Sequence, residues 1–192
     1  MSELHIRPSA IVDAPPEKRF SLPENRTGPQ PLESFLEAMA RLASAVHIVT
    51  THHAGSDYGM TVTAVTSLST DPRSILLSVN RKSAAHDALV AAGELCINTL
   101  RPGQAALART FAGITGVRGH ARFEHGAWEF GDRRPPVLRD AASLMLCNVL
   151  QSHVIGTHRV FACSVSSVML GQETQALVYG NRRFGEVAYI ED

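Results

Sequence analysis

Residues 58–83 hold the groups best suited to chemistry. Two β-rich runs, Thr61–Leu68 and Ser74–Val79, flank an Asp71-Pro72 turn, and threonine and serine crowd both. A hydroxyl inside a sheet costs free energy unless something hydrogen-bonds it. A flat, polar, phosphorylated cofactor would supply such partners. The competing reading is a solvated strand face on which threonine serves as a β-former. The second run ends in Asn80-Arg81-Lys82-Ser83, where a short helix over Ala84–Ala92 is expected to begin. The free N–H groups of a first helical turn, with Arg81 and Lys82 beside them, would make an anion site. Ser83 also reads as a plain N-cap, and the two roles are compatible.

Other chemistries find little support. Gly113, Gly116 and Gly119 are spaced by three, unlike a dinucleotide-binding Gly-x-Gly-x-x-Gly after a strand, and no Walker A loop is present. No histidine pair has His-x-x-x-His spacing, and the adjacent His52 and His53 fall in a loop, so no metal is predicted. Ser83, His86 and Asp87 read better as a cap followed by first-turn polar residues than as a catalytic triad. The formal net charge of zero argues against a nucleic-acid partner. No apolar run approaches the ~20 residues of a membrane span, and the N-terminus lacks a signal-peptide core. Cys96, Cys147 and Cys163 lie in separate apolar runs without Cys-x-x-Cys spacing, which fits buried thiols in a reducing cytoplasm.

The elements that must position these residues form one domain of ordinary globular composition, 44% hydrophobic and 19% charged. Residues 1–30, rich in proline and charge and without periodicity, are expected to be a flexible arm, and 31–192 the folded domain. Pro31 opens a helix whose apolar face carries Leu32, Phe35, Leu36, Met39 and Leu42. Strands are expected at Ala45–Thr51, Thr61–Leu68, Ser74–Val79, Leu95–Leu100, Ser143–Ile155, Arg159–Leu170 and Ala176–Tyr179. His52–Tyr58 reads as a hairpin loop, Gln104–Phe111 as a helix, and Arg122–Glu129 as a short strand in a Gly- and Arg-rich stretch. Strands follow one another through hairpins, so a mainly β fold with peripheral helices, an antiparallel barrel, is expected over a doubly wound sheet.

Gly59-Met60-Thr61-Val62-Thr63-Ala64-Val65-Thr66-Ser67-Leu68-Ser69, followed by Asn80-Arg81-Lys82-Ser83, resembles the flavin reductase-like family of FMN-binding split β-barrels. Leu95–Leu100, Leu107–Gly113, Gly156-Thr157-His158 and Leu177–Phe184 extend the resemblance over roughly residues 32–187. Within the family, Phe111–Gly116, the Gly-Thr-His motif and the Arg-Arg-Phe ending look like the small reductase component of 4-hydroxyphenylacetate 3-monooxygenase, with the pyrimidine-degradation flavin reductases close behind. The resemblance implies NAD(P)H-dependent reduction of FMN or FAD in the cytoplasm, a homodimer, and delivery of reduced flavin to a flavin-dependent monooxygenase. A non-catalytic flavin- or haem-binding split barrel is the alternative. It also implies roles. The flavin ring and ribityl chain would lie along Gly59, Met60, Thr61, Thr63 and Ala64. Ser78, Val79 and Asn80 would line the cofactor, Ser83 and Ala84 would hold its phosphate, and Phe111 would stand near it. His158 would meet the nicotinamide of NADH or NADPH, with Arg182 and Phe184 nearby. No side chain is expected to act as an acid in the hydride step.

Overall fold

The computed structural model describes residues 31–190; the expected N-terminal arm, residues 1–30, lies outside them. Helix α1 (Leu32–Ala40) starts after Pro31, and none of its residues is buried. Strands β2 (His47–His53), β3 (Ser56–Val62), β4 (Val65–Thr70), β5 (Arg73–Asn80), β6 (Glu94–Thr99), β9 (Ser143–Ile155) and β10 (His158–Leu170) form one seven-stranded sheet in the order β3-β2-β6-β9-β10-β5-β4. Every ladder in it is antiparallel. The short strands β1 (Ser44–Ala45), β11 (Val178–Gly180) and β12 (Arg183–Gly185) make a second sheet, and β7 (Trp128–Gly131) with β8 (Arg134–Leu138) makes a two-stranded ribbon.

The order of the large sheet explains the split. Its two edges, β3 and β4, are consecutive in sequence and separated only by Thr63-Ala64, so the sheet must curl until its edges meet. They meet at one end. Ser78 N donates to Ala64 O at 3.0 Å, which carries the β4–β5 ladder one step beyond Val65, and among the described residues no ladder joins β3 to β4. The result is the expected split barrel, a curled sheet with an open seam.

Side-chain alternation divides the apolar residues between two clusters. Val49, Leu77, Leu95, Ile97 and Phe161 fill the inside of the curl. Ile48 and Cys96, their neighbours along the strands, face outward against Leu107 and Phe111 of helix α3 (Ala105–Phe111) and against Phe123, Trp128 and Leu138. Buried Asn98 joins the outer layer to the sheet. Its Nδ2 donates to Ile48 O at 2.9 Å, and its Oδ1 accepts from Leu138 N at 2.8 Å.

Several elements differ from expectation. The run Thr61–Leu68 is two strands, because the chain crosses from one sheet edge to the other at Thr63-Ala64. The expected loop His52–Tyr58 is a tight hairpin in which Ala54 (φ 49°) and Gly55 (φ 75°) take the left-handed conformation of a two-residue turn. Residues 122–129 do not form one strand. A 3-10 helix spans Gly119–Glu124, and β7 starts only at Trp128. Its partner β8 runs through Pro135-Pro136, which a two-stranded ribbon tolerates because each strand is an edge. Helix α2 (His86–Ala92) begins two residues later than predicted. Ser83 is not its cap, because residues 83–85 form a separate turn in which Ser83 O accepts from His86 N at 3.0 Å. At its other end α2 stops as expected at Gly93, which is left-handed (φ 69°).

Candidate active site

The open seam is a cleft of about 700 Å³. One wall is β3 and the adjoining Thr63-Ala64. The opposite wall is the end of β5 with the turn that follows it, and His158 stands at the start of β10. Gly59, Met60, Thr61, Thr63 and Ala64 all line it, as do Ser78, Asn80, Ser83, Ala84, Phe111 and His158. Residues scattered over a hundred positions in sequence are thus brought to one opening.

Val79 is the exception. On β5 the side chains of Ser78 and Asn80 face the cleft, so that of Val79 faces the barrel interior, where it is 1% exposed. It supports the wall and does not line it. Met60 contributes its backbone to the cleft and its side chain to the same interior cluster. The hydroxyl of Thr61 is already committed, donating to Ala108 O at 2.7 Å. Thr50 and Thr51 likewise donate to Pro136 O and Glu94 O. Much of the hydroxyl content that suggested a ligand is therefore satisfied within the protein, while Thr66 and Ser67 are exposed on β4. Thr63 and Ser78 remain as partly exposed hydroxyl groups in the cleft wall.

Phe111 is a core residue first. Its ring is 2% exposed and meets Phe123 at 5.1 Å and Trp128 at 5.2 Å between centroids. It presses on β3 where that strand has no side chain: a Cβ on Gly59 would lie 2.7 Å from Phe111 Cε1. Gly59 is therefore fixed by packing, and its bare backbone forms the cleft wall.

Arg122 was not foreseen. It lies in the 3-10 helix, where Nε donates to Val117 O at 3.0 Å and Nη1 reaches Gly59 O at 3.4 Å and Phe111 O at 3.5 Å. Three separate segments thus hold one guanidinium at the edge of the cleft. Arg118 and Lys82 add exposed positive charge to the lining, and Asp57 a carboxylate bonded to His52 at 2.8 Å. The sequence signal of Arg118 and Arg122 was only positive charge in a glycine-rich stretch, whereas Lys82 belongs to the expected anion site. His158 is exposed, with Nδ1 2.9 Å from Thr157 Oγ1, and pairs in register with Asn80 across β10 and β5.

Arg182 and Phe184 do not join His158. They line a second cleft of about 530 Å³, which shares only Thr61, Thr63 and Ala112 with the first. There the Arg109 guanidinium lies 5.1 Å over the Phe184 ring, and Tyr179 meets the same ring edge-on at 5.0 Å. Arg182 sits in the left-handed turn between β11 and β12 and pairs with Glu37 of α1 at 2.9 Å.

Residues 39–188 match the family model described as the flavin reductase like domain. The chain belongs to the flavin reductase-like family. It is 39% identical over 161 residues to "FMN reductase (NADH) RutF 1" of Methylorubrum extorquens, covering 84% of this chain and 79% of that one. It is 38% identical over 153 residues to the 4-hydroxyphenylacetate 3-monooxygenase reductase component of Salmonella typhi, covering 80% and 90%. Among solved structures, a flavin reductase from Haemophilus somnus superposes with a TM-score of 0.77 at 32% identity, over 82% of this chain and all of that one. BorF, the flavin reductase component of a bacterial two-component tryptophan halogenase, gives 0.74 at 26% identity, over 82% and 99%.

For a member of the flavin reductase-like family, the first cleft has the right chemistry for a flavin. A backbone wall at Gly59–Ala64 offers N–H and C=O groups to a flat heterocycle. Lys82, Arg118 and Arg122 offer positive charge to a phosphate, and Thr63 and Ser78 offer hydroxyls to a polyol chain.

Proposed function

We propose that this flavin reductase-like enzyme uses NAD(P)H to reduce FMN or FAD in the seam cleft and passes the reduced flavin to a partner flavin-dependent monooxygenase. The observation that carries the reading is the cleft itself. In a chain of this family, the barrel opens where the β3 wall, bare of side chain at Gly59, faces a turn bearing Lys82 and Ser83. Flavin and NAD(P)H supply the redox chemistry; the protein supplies position and electrostatics.

In this reading the backbone of Gly59–Ala64, with Thr63, Ser78 and Asn80, holds the ring and ribityl chain. Lys82, Ser83 and Ala84 take the phosphate. Arg122, held by three carbonyls, keeps a fixed positive charge at the cleft edge, where it favours negative charge on a bound group without reorganising. His158 stands at the mouth, where it orients the nicotinamide. The second cleft, which shares Thr61, Thr63 and Ala112 with the first, accommodates the rest of the pyridine nucleotide, with Arg109, Phe184 and Arg182 along it. Relatives named FMN reductase (NADH) make FMN and NADH the first pair to test, and relatives that are monooxygenase or halogenase components support transfer of reduced flavin to a partner.

Purified protein is expected to oxidise NADH or NADPH only when FMN, FAD or riboflavin is added, measured as loss of absorbance at the nicotinamide band. Flavin binding without oxidation of either nucleotide would leave a non-catalytic flavin-binding barrel. For His158→Ala, the kcat/KM for the nucleotide is expected to fall roughly tenfold or more, with flavin Kd and Tm little changed. Unchanged kinetics would remove His158 from the site.

A homodimer is part of this proposal. Leu32, Phe35, Leu36 and Met39 of α1 are 47–67% exposed. Leu150, Ile155 and Leu170 on the long β9–β10 hairpin are 58–82% exposed. So much apolar surface on ordered elements suits a second subunit. Light scattering at micromolar concentration is expected to give twice the 20.7 kDa chain mass; a fully active monomer would refute the dimer.

A further inference from the structure

Among buried titratable side chains, His86 is one that the proposed chemistry leaves without a task. It is the first residue of α2 and 6% exposed, and both of its ring nitrogens are engaged. Arg159 Nε lies 3.2 Å from His86 Nε2, and Asp87 Oδ1 lies 2.7 Å from His86 Nδ1. An arginine N–H can only donate, so Nε2 must accept, and the ring proton is on Nδ1, donated to Asp87. Asp87 is almost fully exposed and Arg159 is half-buried, so the Arg159 contact is the stronger constraint. Arg159 is itself fixed, with Nη1 donating to Ser152 Oγ at 2.9 Å on the neighbouring strand. A polar chain therefore runs from α2 through Arg159 to the β9–β10 hairpin.

Both ends of this chain lead into the cleft. Ser83–Ala85, which line it, immediately precede His86, whose N–H bonds Ser83 O. Arg159 follows His158, which lines it from the other side. A second tie, Arg81 N to Thr157 O at 3.0 Å, joins the same two segments through backbone alone. The β5–β10 ladder also pairs Asn80 with His158, and the His86–Arg159 bond adds a side-chain tie from the residue directly after the 83–85 turn to the start of β10.

We propose that His86 is a positioning residue for the phosphate-facing turn, acting through Arg159 to hold Lys82–Ala85 at the distance that a flavin phosphate requires. The inference rests on the flavin reading above and adds to it the group that makes the site selective for a phosphorylated flavin. Without the His86–Arg159 bond the turn relaxes from the cleft. The loss then falls on the phosphate and spares the ring, which is held by β3.

The test compares FMN with riboflavin, identical in ring and ribityl chain, by flavin fluorescence titration of the full-length protein. His86→Leu fills the space without an acceptor, His86→Gln keeps an acceptor near the position of Nε2, and Arg159→Met removes the donor. His86→Leu and Arg159→Met are each expected to raise the FMN Kd about tenfold while the riboflavin Kd stays within twofold. His86→Gln is expected to restore most of the FMN affinity. Equal weakening of both flavins in either variant, or no change in either, would overturn the proposal, since a purely structural histidine does not discriminate between the two ligands. If His86→Leu fails to fold, Arg159→Met with His86→Gln decides the matter by the same ratio. Wild-type protein that binds neither flavin would instead overturn the flavin reading on which the inference stands.

Discussion

Phe111→Ala is expected to cost about 3–5 kcal/mol of stability and to weaken flavin binding tenfold or more. The ring is 2% exposed at the last residue of α3, with Phe123 and Trp128 on its other sides. Its edge rests on Gly59, so truncation would leave a cavity directly behind the cleft wall. Tight packing around it, with Leu107, Leu138 and Ile48 in the same cluster, leaves little freedom for the site to collapse. Urea unfolding gives the stability loss, and flavin fluorescence the affinity. Gly59→Ala approaches the same contact from the other side, adding a Cβ within 2.7 Å of a buried ring, and should also weaken flavin binding. A stability loss below about 1 kcal/mol for Phe111→Ala would mean that the outer cluster does not support β3. Normal flavin affinity in a clearly destabilised variant would separate the wall from the core.

How far this arrangement could be read in the sequence depended on whether a feature was local. The hairpin order, the C-cap at Gly93 and the long β9–β10 pair follow from alternation and turn residues close together in the chain. The motif from Gly59 to Ser83 led to the cleft because both walls belong to it. What could not be read depended on distant partners. Apolar and polar residues alternate from Met60 to Ala64, the adjacent Ala64-Val65 pair is only a faint irregularity, and it is the crossing between sheet edges that makes that point a break. Val79 stands between two cleft residues and is excluded by strand alternation alone, a rule available beforehand but outweighed by the motif. The Thr61 hydroxyl found its acceptor on a helix 47 positions away. Arg122 had no local signal, because its three carbonyl partners come from β3, the end of α3 and the segment before the 3-10 helix. The second cleft draws on Thr61, Arg109 and Phe184, which share no motif.

Acidification is expected to destabilise the protein through His47. This residue shares the inner face of β2 with Val49 and is 7% exposed, and burial lowers its pKa to about 4. Its Nδ1 lies 3.1 Å from Thr99 Oγ1, which is in turn 2.9 Å from Ser143 Oγ. These neutral hydroxyls can accommodate a neutral imidazole but offer a cation no counter-charge. In the unfolded chain the same histidine takes a proton near pH 6.5. Between the two values the unfolded state binds more protons than the folded one, so stability rises with pH in this window. The contribution is fully present above pH ~6.5 and is lost as the pH falls toward about 4. The slope approaches about 1.4 kcal/mol per pH unit for one proton, so moving from about pH 7.5 to about pH 5 removes about 2 kcal/mol through this residue. His47→Gln keeps an acceptor for Thr99 and does not titrate. Urea unfolding of both proteins at the two pH values isolates the effect, since the other histidines contribute equally to each. Wild type should lose about 2 kcal/mol more than the variant across that interval. Equal losses would mean that His47 charges in the folded state at no cost, through movement of β2 that opens it to water. Because His47 pairs in register with Val62 at the end of β3, such movement would also be felt in the cleft wall.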